Sequence, residues 1–496
     1  MGKAKRREQT FQEMTTLLAD RGFWGPEGNQ GLKFLLAVGF LFAVGVAAYW
    51  LNPGIEGLSF ILAAAVIGGY MALNIGANDV ANNIGPAVGS RVITMVGALA
   101  IAAVFEAAGA IIAGSDVVAT ISKGIIDPSG ITGLDHFVLA MTAALLAGAV
   151  WINAATWLGA PISTTHSIVG GVLGAGIALA GTGVVNWPTM GAIALSWVVS
   201  PLMGGVIAAG FLLFIKIAIL YQPSRLTAAR KWVPILVGIM AGSFAVYLAL
   251  KTPGVDWQPS VWELASLGLG TLLVTAFATR PLVVRAALVL PDDKKSVNRL
   301  FTIPLIFAAA LLSFAHGAND VANAVGPLAA IVSVVKGHTL AAKVVVPLWV
   351  MLIGALGLSV GLLLYGSKIV HRVGRDITKM NATRAFCVAL AAAITVIAAS
   401  WLGLPISSTH TAVGAVFGVG FLREFIANRR LYNSGSLFPW AAKKEPPSPE
   451  KLEKWAARKL VRRRHLLGIL AAWLITVPAS AGLAALLFFV LDGLFA

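Results

Sequence analysis

Two aspartates flanked by asparagines lie deep inside apolar stretches of the 496-residue chain. Residues 74–86 read NIGANDVANNIGP, and residues 315–327 read AHGANDVANAVGP. An ionised carboxylate within a membrane is costly, so Asp79 and Asp320 must face protein, water or a cation. Carboxylate and amide oxygens form a hard ligand set that suits Na⁺. A purely structural role is the alternative, but the duplication favours a cation site formed by Asn78, Asp79, Asn82, Asn319, Asp320 and Asn323.

A second pair of motifs places hydroxyl groups at the start of a helix. Residues 157–166 read WLGAPISTTH, and residues 401–410 read WLGLPISSTH. Pro161 or Pro405 can occupy the first turn of a helix, where its missing N–H is not needed. The free N–H groups of that turn and the positive end of the helix dipole attract anions. Hydroxyls that only cap the helix are the alternative. The predicted ligands of a tetrahedral oxyanion are Ser163, Thr164, Thr165, Ser407, Ser408 and Thr409.

Three more ionisable residues are candidates for coupling. His166 and His410 end the two hydroxyl-rich motifs. Each could donate to the anion, relay a proton or brace the turn, and bracing is the favoured role. Glu106 lies in a third apolar run, where a carboxylate is by default a functional hypothesis. Glu106 either couples a cation or makes a structural hydrogen bond.

The composition indicates a polytopic membrane protein and argues against soluble enzyme folds. Hydrophobic residues make up 58% of the chain and charged residues only 12%, against about 25% charged residues in soluble domains. The net charge of +16 is carried by Lys and Arg between apolar runs. It therefore indicates membrane topology and contact with anionic lipid rather than binding of nucleic acid.

Thirteen apolar runs approach the length of about 20 residues that a membrane-spanning helix needs. They lie near 32–51, 58–75, 92–114, 137–159, 162–181, 189–215, 232–250, 262–280, 300–316, 340–366, 383–402, 405–423 and 466–491. Basic connections face the cytoplasm. Thirteen spans with a cytosolic N-terminus place every basic connection inside, namely 216–231, 280–299, 366–384 and 423–465.

The duplicated motifs define two internal repeats. The second copies follow the first by 241 and 244 residues. Seven spans separate equivalent positions, and because seven is odd the two repeats have opposite orientations in the bilayer. The predicted division is a cytosolic segment 1–31, an extra helix 32–57, repeat 58–215, connecting spans 216–299, and repeat 300–491 with a basic cytosolic loop at 423–465.

Inverted repeats are typical of secondary transporters, whose sites lie near the midplane on discontinuous helices. Helix breaks at membrane depth are tolerated where they line a site. We therefore expect breaks at Gly76, Gly85, Pro86, Gly317, Gly326 and Pro327. The predicted fold is an all-α polytopic membrane protein with about 13 transmembrane helices and two inverted-topology repeats.

Together, these motifs resemble the PiT family of inorganic phosphate transporters over residues 58–490. The resemblance implies a PiT-type fold, usually dimeric, that imports inorganic phosphate across the bacterial cytoplasmic (inner) membrane with Na⁺ or H⁺ and no other cofactor. It implies that Asp79, Asp320 and their neighbouring asparagines bind Na⁺ and help to place phosphate, with Asn83 as a phosphate ligand. It also implies that the Ser/Thr turns contact the anion.

Two departures from the family pattern concern coupling and loop length. Animal relatives carry a glutamate in the helix before the second hydroxyl-rich motif, where this chain has Ala389, and the loop 216–231 is short. Symport of sulfate or another tetrahedral oxyanion is the alternative function. An intramembrane enzyme is disfavoured, since the sequence offers no obvious nucleophile beside a base. A channel is also disfavoured.

Overall fold

The computed structural model describes residues 29–90, 92–127, 131, 133–158, 162–251, 259–337, 346–376, 380–432 and 463–495. The predicted cytosolic segment 1–31, except for its last three residues, lies outside this part of the chain. So does most of the predicted basic loop 423–465, from residue 433 to residue 462.

The described chain is all-helical, and within it the only extended pairing is an isolated bridge between Ile126 and Val185. The α-helices in chain order are α1 Gln30–Leu51, α2 Leu58–Asn78, α3 Val80–Gly89, α4 Met95–Ala113, α5 Ser115–Ala119, α6 Leu134–Leu158, α7 Thr164–Ala180, α8 Trp187–Ile215, α9 Arg225–Lys251, α10 Val261–Leu288, α11 Lys294–Leu300, α12 Thr302–Gly337, α13 Leu348–Asp376, α14 Ala382–Trp401, α15 Ser408–Tyr432 and α16 Arg463–Phe495.

Eleven candidate membrane spans are found among the described residues, with α2 and α3 counted as one. The predicted count of thirteen is therefore not confirmed. The predicted spans 162–181 and 405–423 correspond to α7 and α15, which are not among the eleven. Helix α7 has 17 residues and a length of about 26 Å at 1.5 Å per residue, less than the roughly 30 Å of the hydrocarbon core. Both helices begin at buried Ser/Thr turns rather than at a membrane surface.

The expected helix breaks are almost absent. Helix α12 continues without interruption through Asp320 and Pro327, and α2 is separated from α3 only by Asp79, whose backbone is still right-handed helical. A proline removes one backbone hydrogen bond, which membrane helices tolerate when neighbouring groups compensate. The predicted breaks at the six glycines and prolines were therefore wrong, and the interruption that the structure shows lies at Asp79, between α2 and α3.

The glycines of these helices provide close packing instead of breaks. A methyl group on Gly76 would collide with the backbone carbonyl of Leu358 in α13, and one on Gly317 would collide with that of Glu106 in α4. Gly76 and Gly317 are equivalent positions of the two sequence repeats. Each repeat therefore packs its first helix against the second helix of the other repeat.

The first helices of the two repeats also contact each other, in antiparallel directions. A Cβ atom on Gly57 would lie 3.1 Å from Val335, and one on Gly68 would lie 3.2 Å from Leu328. Residue numbers thus rise along α2 as they fall along α12. The helices that begin at the hydroxyl-rich motifs also pack across the repeats. Helix α7 of the first repeat packs on α16 of the second, and α15 of the second repeat packs on α8 of the first. This interlocked packing brings the duplicated motifs together in the protein interior.

Candidate functional site

The two hydroxyl-rich turns begin α7 and α15 in the same way. Ser163 is the N-cap of α7, and its Oγ accepts a hydrogen bond of 3.1 Å from the backbone N–H of His166. Ser407 accepts an equivalent bond of 3.2 Å from His410. Such caps satisfy N–H groups that the first turn of a helix leaves without partners. The two serines therefore fix the turns that present the next hydroxyls.

Those next hydroxyls hold the two aspartates. Thr164 donates a hydrogen bond of 2.7 Å to Oδ2 of Asp79, and Ser408 donates one of 2.9 Å to Oδ2 of Asp320. Thr409 crosses between the repeats and donates to Oδ1 of Asp79 at 3.2 Å. All five side chains are at most 3% exposed. The predicted cation motif and the predicted anion motif therefore form one buried site.

Asparagines connect the two halves of this site. The amide nitrogen of Asn323 lies 3.3 Å from Oγ1 of Thr164 and 3.2 Å from Oγ1 of Thr165, and donates to both. Thr165 in turn donates to the backbone carbonyl of Ile406, just before the second hydroxyl-rich turn, at 2.9 Å. The position of α7 is therefore tied directly to α12 and to the start of α15.

Two equivalent asparagines anchor the motifs to the preceding helices. Asn78 donates to Oγ1 of Thr156 at 2.8 Å, and Asn319 donates to Oγ of Ser400 at 3.0 Å. Thr156 and Ser400 are themselves equivalent in the repeats. This pair of contacts shows that the twofold pattern extends beyond the residues of the sequence motifs. The side chain of Asn82 lies outside the described part of the structure.

A buried histidine that the sequence analysis did not single out completes the site. His316 has Nε2 at 3.0 Å from Oδ2 of Asp320 and Nδ1 at 3.0 Å from Oε1 of Glu106. Asn83 donates to the same oxygen of Glu106 at 3.1 Å. His316 lies four residues before Asp320, on the same face of a helix, and that spacing was the available signal. The first repeat has Ile75 at the equivalent position, so this contact breaks the twofold symmetry.

The site contains an excess of buried acceptor oxygens. Atoms from Asp79, Asp320 and His316 lie within 4.8 Å of one another. Among the described residues, no donor reaches Oδ1 of Asn78, Asn83, Asp320 or Asn323, or Oε2 of Glu106. A buried acceptor without a partner costs about 1–3 kcal/mol. A cation bound among these oxygens would satisfy them, and carboxylate and amide oxygens are suitable ligands for a hard cation.

The two histidines of the hydroxyl-rich motifs pack behind the turns. The rings of His166 and His410 are 5.1 Å apart, and that of His166 lies 3.8 Å from the ring of Trp197. The indole nitrogen of Trp197 donates to the carbonyl of Pro405 at 3.1 Å. These contacts give both rings a packing role where the turns meet, consistent with bracing.

The chain matches known transporters over most of its length. The phosphate transporter family matches residues 75–484. The chain belongs to this family. A Helicobacter pylori protein named as a phosphate permease is 44% identical, and the match covers 92% of this chain and 94% of that protein. A Pyrococcus abyssi protein that is also named as a phosphate permease is 34% identical, and the match covers 87% of this chain and 98% of that protein.

A solved structure supports the same assignment at the level of the fold. The structure titled the sodium-dependent phosphate transporter aligns with a TM-score of 0.76 and 34% identity, covering 88% of this chain and all of that one. The phosphate transporter family is a family of carriers, so the chain is a multi-pass membrane transporter and not an enzyme. The PiT-type fold predicted from the sequence is thereby confirmed.

One departure from the expected family pattern is visible in the structure. Ala389 is fully buried in α14, so the side chain there supplies no carboxylate. Glu106 is the glutamate that contributes a carboxylate to the described cluster, through His316. Beside the aspartate pair the chain therefore has a buried carboxylate at Glu106 and none at residue 389.

Proposed function

We propose that the protein imports inorganic phosphate across the cytoplasmic membrane by symport with Na⁺. The observation that carries the proposal is the direct contact of the two duplicated motifs, in which Thr164, Ser408 and Thr409 hold Asp79 and Asp320. The two aspartates and the asparagines bind the cation, and the Ser/Thr turns bind the anion with the help of Asn83. A homodimer surrounded by lipid is the proposed assembly, from the family resemblance.

Electrostatics couples the two substrates. Asp79, Asp320 and Glu106 are at most 1% exposed, and His316 is the basic side chain in contact with two of them. Like charges a few ångströms apart in a low-dielectric interior repel each other by several kcal/mol. Phosphate is therefore excluded from the aspartate pair until cations neutralise it. Obligatory binding of the cation together with the anion is what symport requires.

The arrangement also favours release. A site that holds an anion by hydroxyls, helix N-termini and a transient cation loses much of its affinity when the cation leaves. The difference in phosphate affinity between the cation-loaded and the cation-free states then determines how strongly Na⁺ drives the accumulation of phosphate. The coupling candidates Glu106, His166 and His410 lie beside this site, and Glu106 reaches Asp320 through His316.

Uptake of radiolabelled phosphate into proteoliposomes tests the proposal. We expect uptake driven by an inward Na⁺ gradient and abolished in Asp79→Asn and in Asp320→Asn, with both variants monodisperse in detergent. Uptake driven only by a proton gradient would identify H⁺, and not Na⁺, as the coupling ion. Stronger uptake of sulfate than of phosphate would change the substrate, and a lack of gradient-driven uptake would reject symport.

A further inference from the structure

Some polar residues beside the central site occur in one repeat only. The first repeat has Asn83 where the second has Ala324, and the second repeat has His316 where the first has Ile75. The residues proposed to bind the cation are, by contrast, present in both repeats. The cation site alone therefore does not account for these asymmetric positions.

Glu106 also lacks a polar counterpart. Gly76 and Gly317 are equivalent positions of the repeats. A methyl group on Gly76 would collide with the backbone carbonyl of Leu358, and one on Gly317 would collide with that of Glu106. Leu358 is therefore the structural counterpart of Glu106. The first repeat has a carboxylate where the second has an apolar side chain.

The side chains of Asn83, Glu106 and His316 contact one another and are called the asymmetric cluster below. Asn83 donates from its amide nitrogen to Oε1 of Glu106 at 3.1 Å, and Nδ1 of His316 lies 3.0 Å from the same oxygen. Nε2 of His316 lies 3.0 Å from Oδ2 of Asp320. All three residues of the cluster are fully buried. The asymmetric residues therefore form one unit that adjoins the aspartate pair.

The asymmetric cluster has acceptor oxygens without donors. Within the described part of the chain, no group donates to Oδ1 of Asn83 or to Oε2 of Glu106. The duplicated Ser/Thr turns have the opposite chemistry, because hydroxyls and the N–H groups of a first helical turn can donate to an anion. A ligand that satisfies both must accept hydrogen bonds from the turns and donate hydrogen bonds to the cluster.

Tetrahedral oxyanions differ in their ability to donate. Phosphate and arsenate carry at least one O–H group at neutral and mildly alkaline pH, whereas sulfate is fully ionised and can only accept. A site whose buried groups require a donor rejects a ligand that lacks one, because those groups then remain unpaired.

We propose that Asn83 and Glu106 select an oxyanion that carries a proton, and that this contact excludes sulfate. Oδ1 of Asn83 and Oε2 of Glu106 accept from the O–H of the bound phosphate, while the Ser/Thr turns donate to its ionised oxygens. This proposal rests on the proposed function, because it concerns how the same site recognises phosphate.

Displacement of radiolabelled phosphate from the purified full-length chain tests the proposal. The measurement is made at saturating Na⁺ and mildly alkaline pH, where phosphate, arsenate and sulfate are all dianions of similar size. We expect arsenate to displace phosphate at similar concentrations. Sulfate should require concentrations at least about a hundredfold higher, about tenfold for each acceptor left unpaired. In Asn83→Ala, which introduces the residue of the second repeat, the ratio of the sulfate to the arsenate inhibition constant should fall about tenfold.

Two further variants complete the experiment. Glu106→Gln is nearly isosteric and can present an N–H donor in place of an acceptor oxygen, so the same ratio should again fall at least about tenfold. This variant keeps the test open if Asn83→Ala does not fold. Asn78→Ala is the matched control, because Oδ1 of Asn78 also lacks a donor among the described residues but belongs to the duplicated set. It should leave the ratio unchanged.

The proposal is overturned if sulfate displaces phosphate from the wild type as readily as arsenate does, or if the ratio is unchanged in both Asn83→Ala and Glu106→Gln. An unchanged ratio together with an altered Na⁺ dependence would assign the two oxygens to the cation instead. Binding requires no ion gradient. A protein that keeps the expected order of competition but shows no gradient-driven uptake would therefore reject symport and leave this proposal standing.

Discussion

At the scale of single residues, the site depends on hydroxyls that follow a helix cap by one or two positions. Ser163 and Ser407 hold the turns, and the following residues, Thr164 and Ser408, reach the aspartates. The serine that caps each helix and the hydroxyl that contacts the aspartate therefore belong to different residues. The sequence alone does not distinguish these hydroxyls, because all of them are consecutive Ser or Thr residues at the start of a helix.

Removing one of these hydroxyls should impair transport without unfolding the protein. In Thr164→Val, Oδ2 of Asp79 loses a hydrogen bond of 2.7 Å, and bonds to a charged group contribute about 1.5–3 kcal/mol. We expect phosphate uptake to fall about tenfold to a hundredfold. Thr164→Ser keeps the hydroxyl and should retain most of the activity. A Thr164→Val variant that transports as fast as Thr164→Ser would show that the hydroxyl is not required.

The sequence predicted most of the central residues but not their connections. Asp79, Asp320 and the hydroxyls are recognisable because they are polar, duplicated and located within apolar runs. His316 escaped attention because it occurs in only one repeat and because its partner Glu106 is 210 positions away in the chain. Only the packing of α12 on α4 brings them together.

At the scale of helices, glycine determines how closely the repeats approach. Gly317 touches the backbone of α4, so Gly317→Ala forces the two helices apart. We expect a loss of stability of about 1–3 kcal/mol, typical of overpacking, seen as a lower unfolding temperature in detergent. Gly210→Ala in α8 is the matched control, since its Cβ meets nothing within 4 Å. That change should be neutral or stabilise the helix by up to about 1 kcal/mol.

A short helix outside the candidate spans should respond to acid. Asp293 caps α11 and accepts a hydrogen bond of 2.7 Å from the backbone N–H of Ser296. Hydrogen bonds from the backbone and the hydroxyl of Ser296 hold the pKa of Asp293 below its usual value. Because the folded-state pKa is lowered, the cap stabilises at neutral pH, and this contribution is lost as the pH falls through the folded-state pKa.

The effect is measured as a difference between variants. The gap in unfolding temperature between the wild type and Asp293→Ala should be present at neutral pH and shrink under acidic conditions. Asp293→Asn retains a side-chain oxygen for the cap and does not titrate. Its stability relative to Asp293→Ala should therefore stay constant with pH. A gap between wild type and Asp293→Ala that widens in acid would contradict the assignment.

At the scale of the whole molecule, the antiparallel contact of α2 and α12 is the arrangement expected of inverted repeats. In a Cys387→Ala background, cysteines at Gly68 and Leu328 should react with a short thiol-specific cross-linker, because a Cβ atom at Gly68 lies 3.2 Å from Leu328. The control pair, at Gly68 and Leu311, is displaced by about 26 Å along α12 at 1.5 Å per residue. Efficient cross-linking of the control pair instead would contradict the contact between Gly68 and Leu328.

The overall fold was predictable from hydropathy, and its details were not. The apolar runs identified helices such as α1, expected at 32–51 and found at Gln30–Leu51. Hydropathy could not distinguish α7, which starts inside the protein, from a complete span. It also could not show that Gly317 and Pro327 are accommodated in an unbroken helix, because that depends on the neighbours of α12.

The hydrogen bonds that cross between the repeats have a consequence for evolution and for engineering. Thr409 completes the environment of Asp79, and Asn323 that of Thr164. Either half of the chain, produced alone, would lack side chains that only the other half supplies to the site. An ancestral single-repeat gene product would have needed two copies inserted in opposite senses before any solute could cross. Expressed today as two separate polypeptides, the halves should be inert singly and regain uptake only when synthesised together.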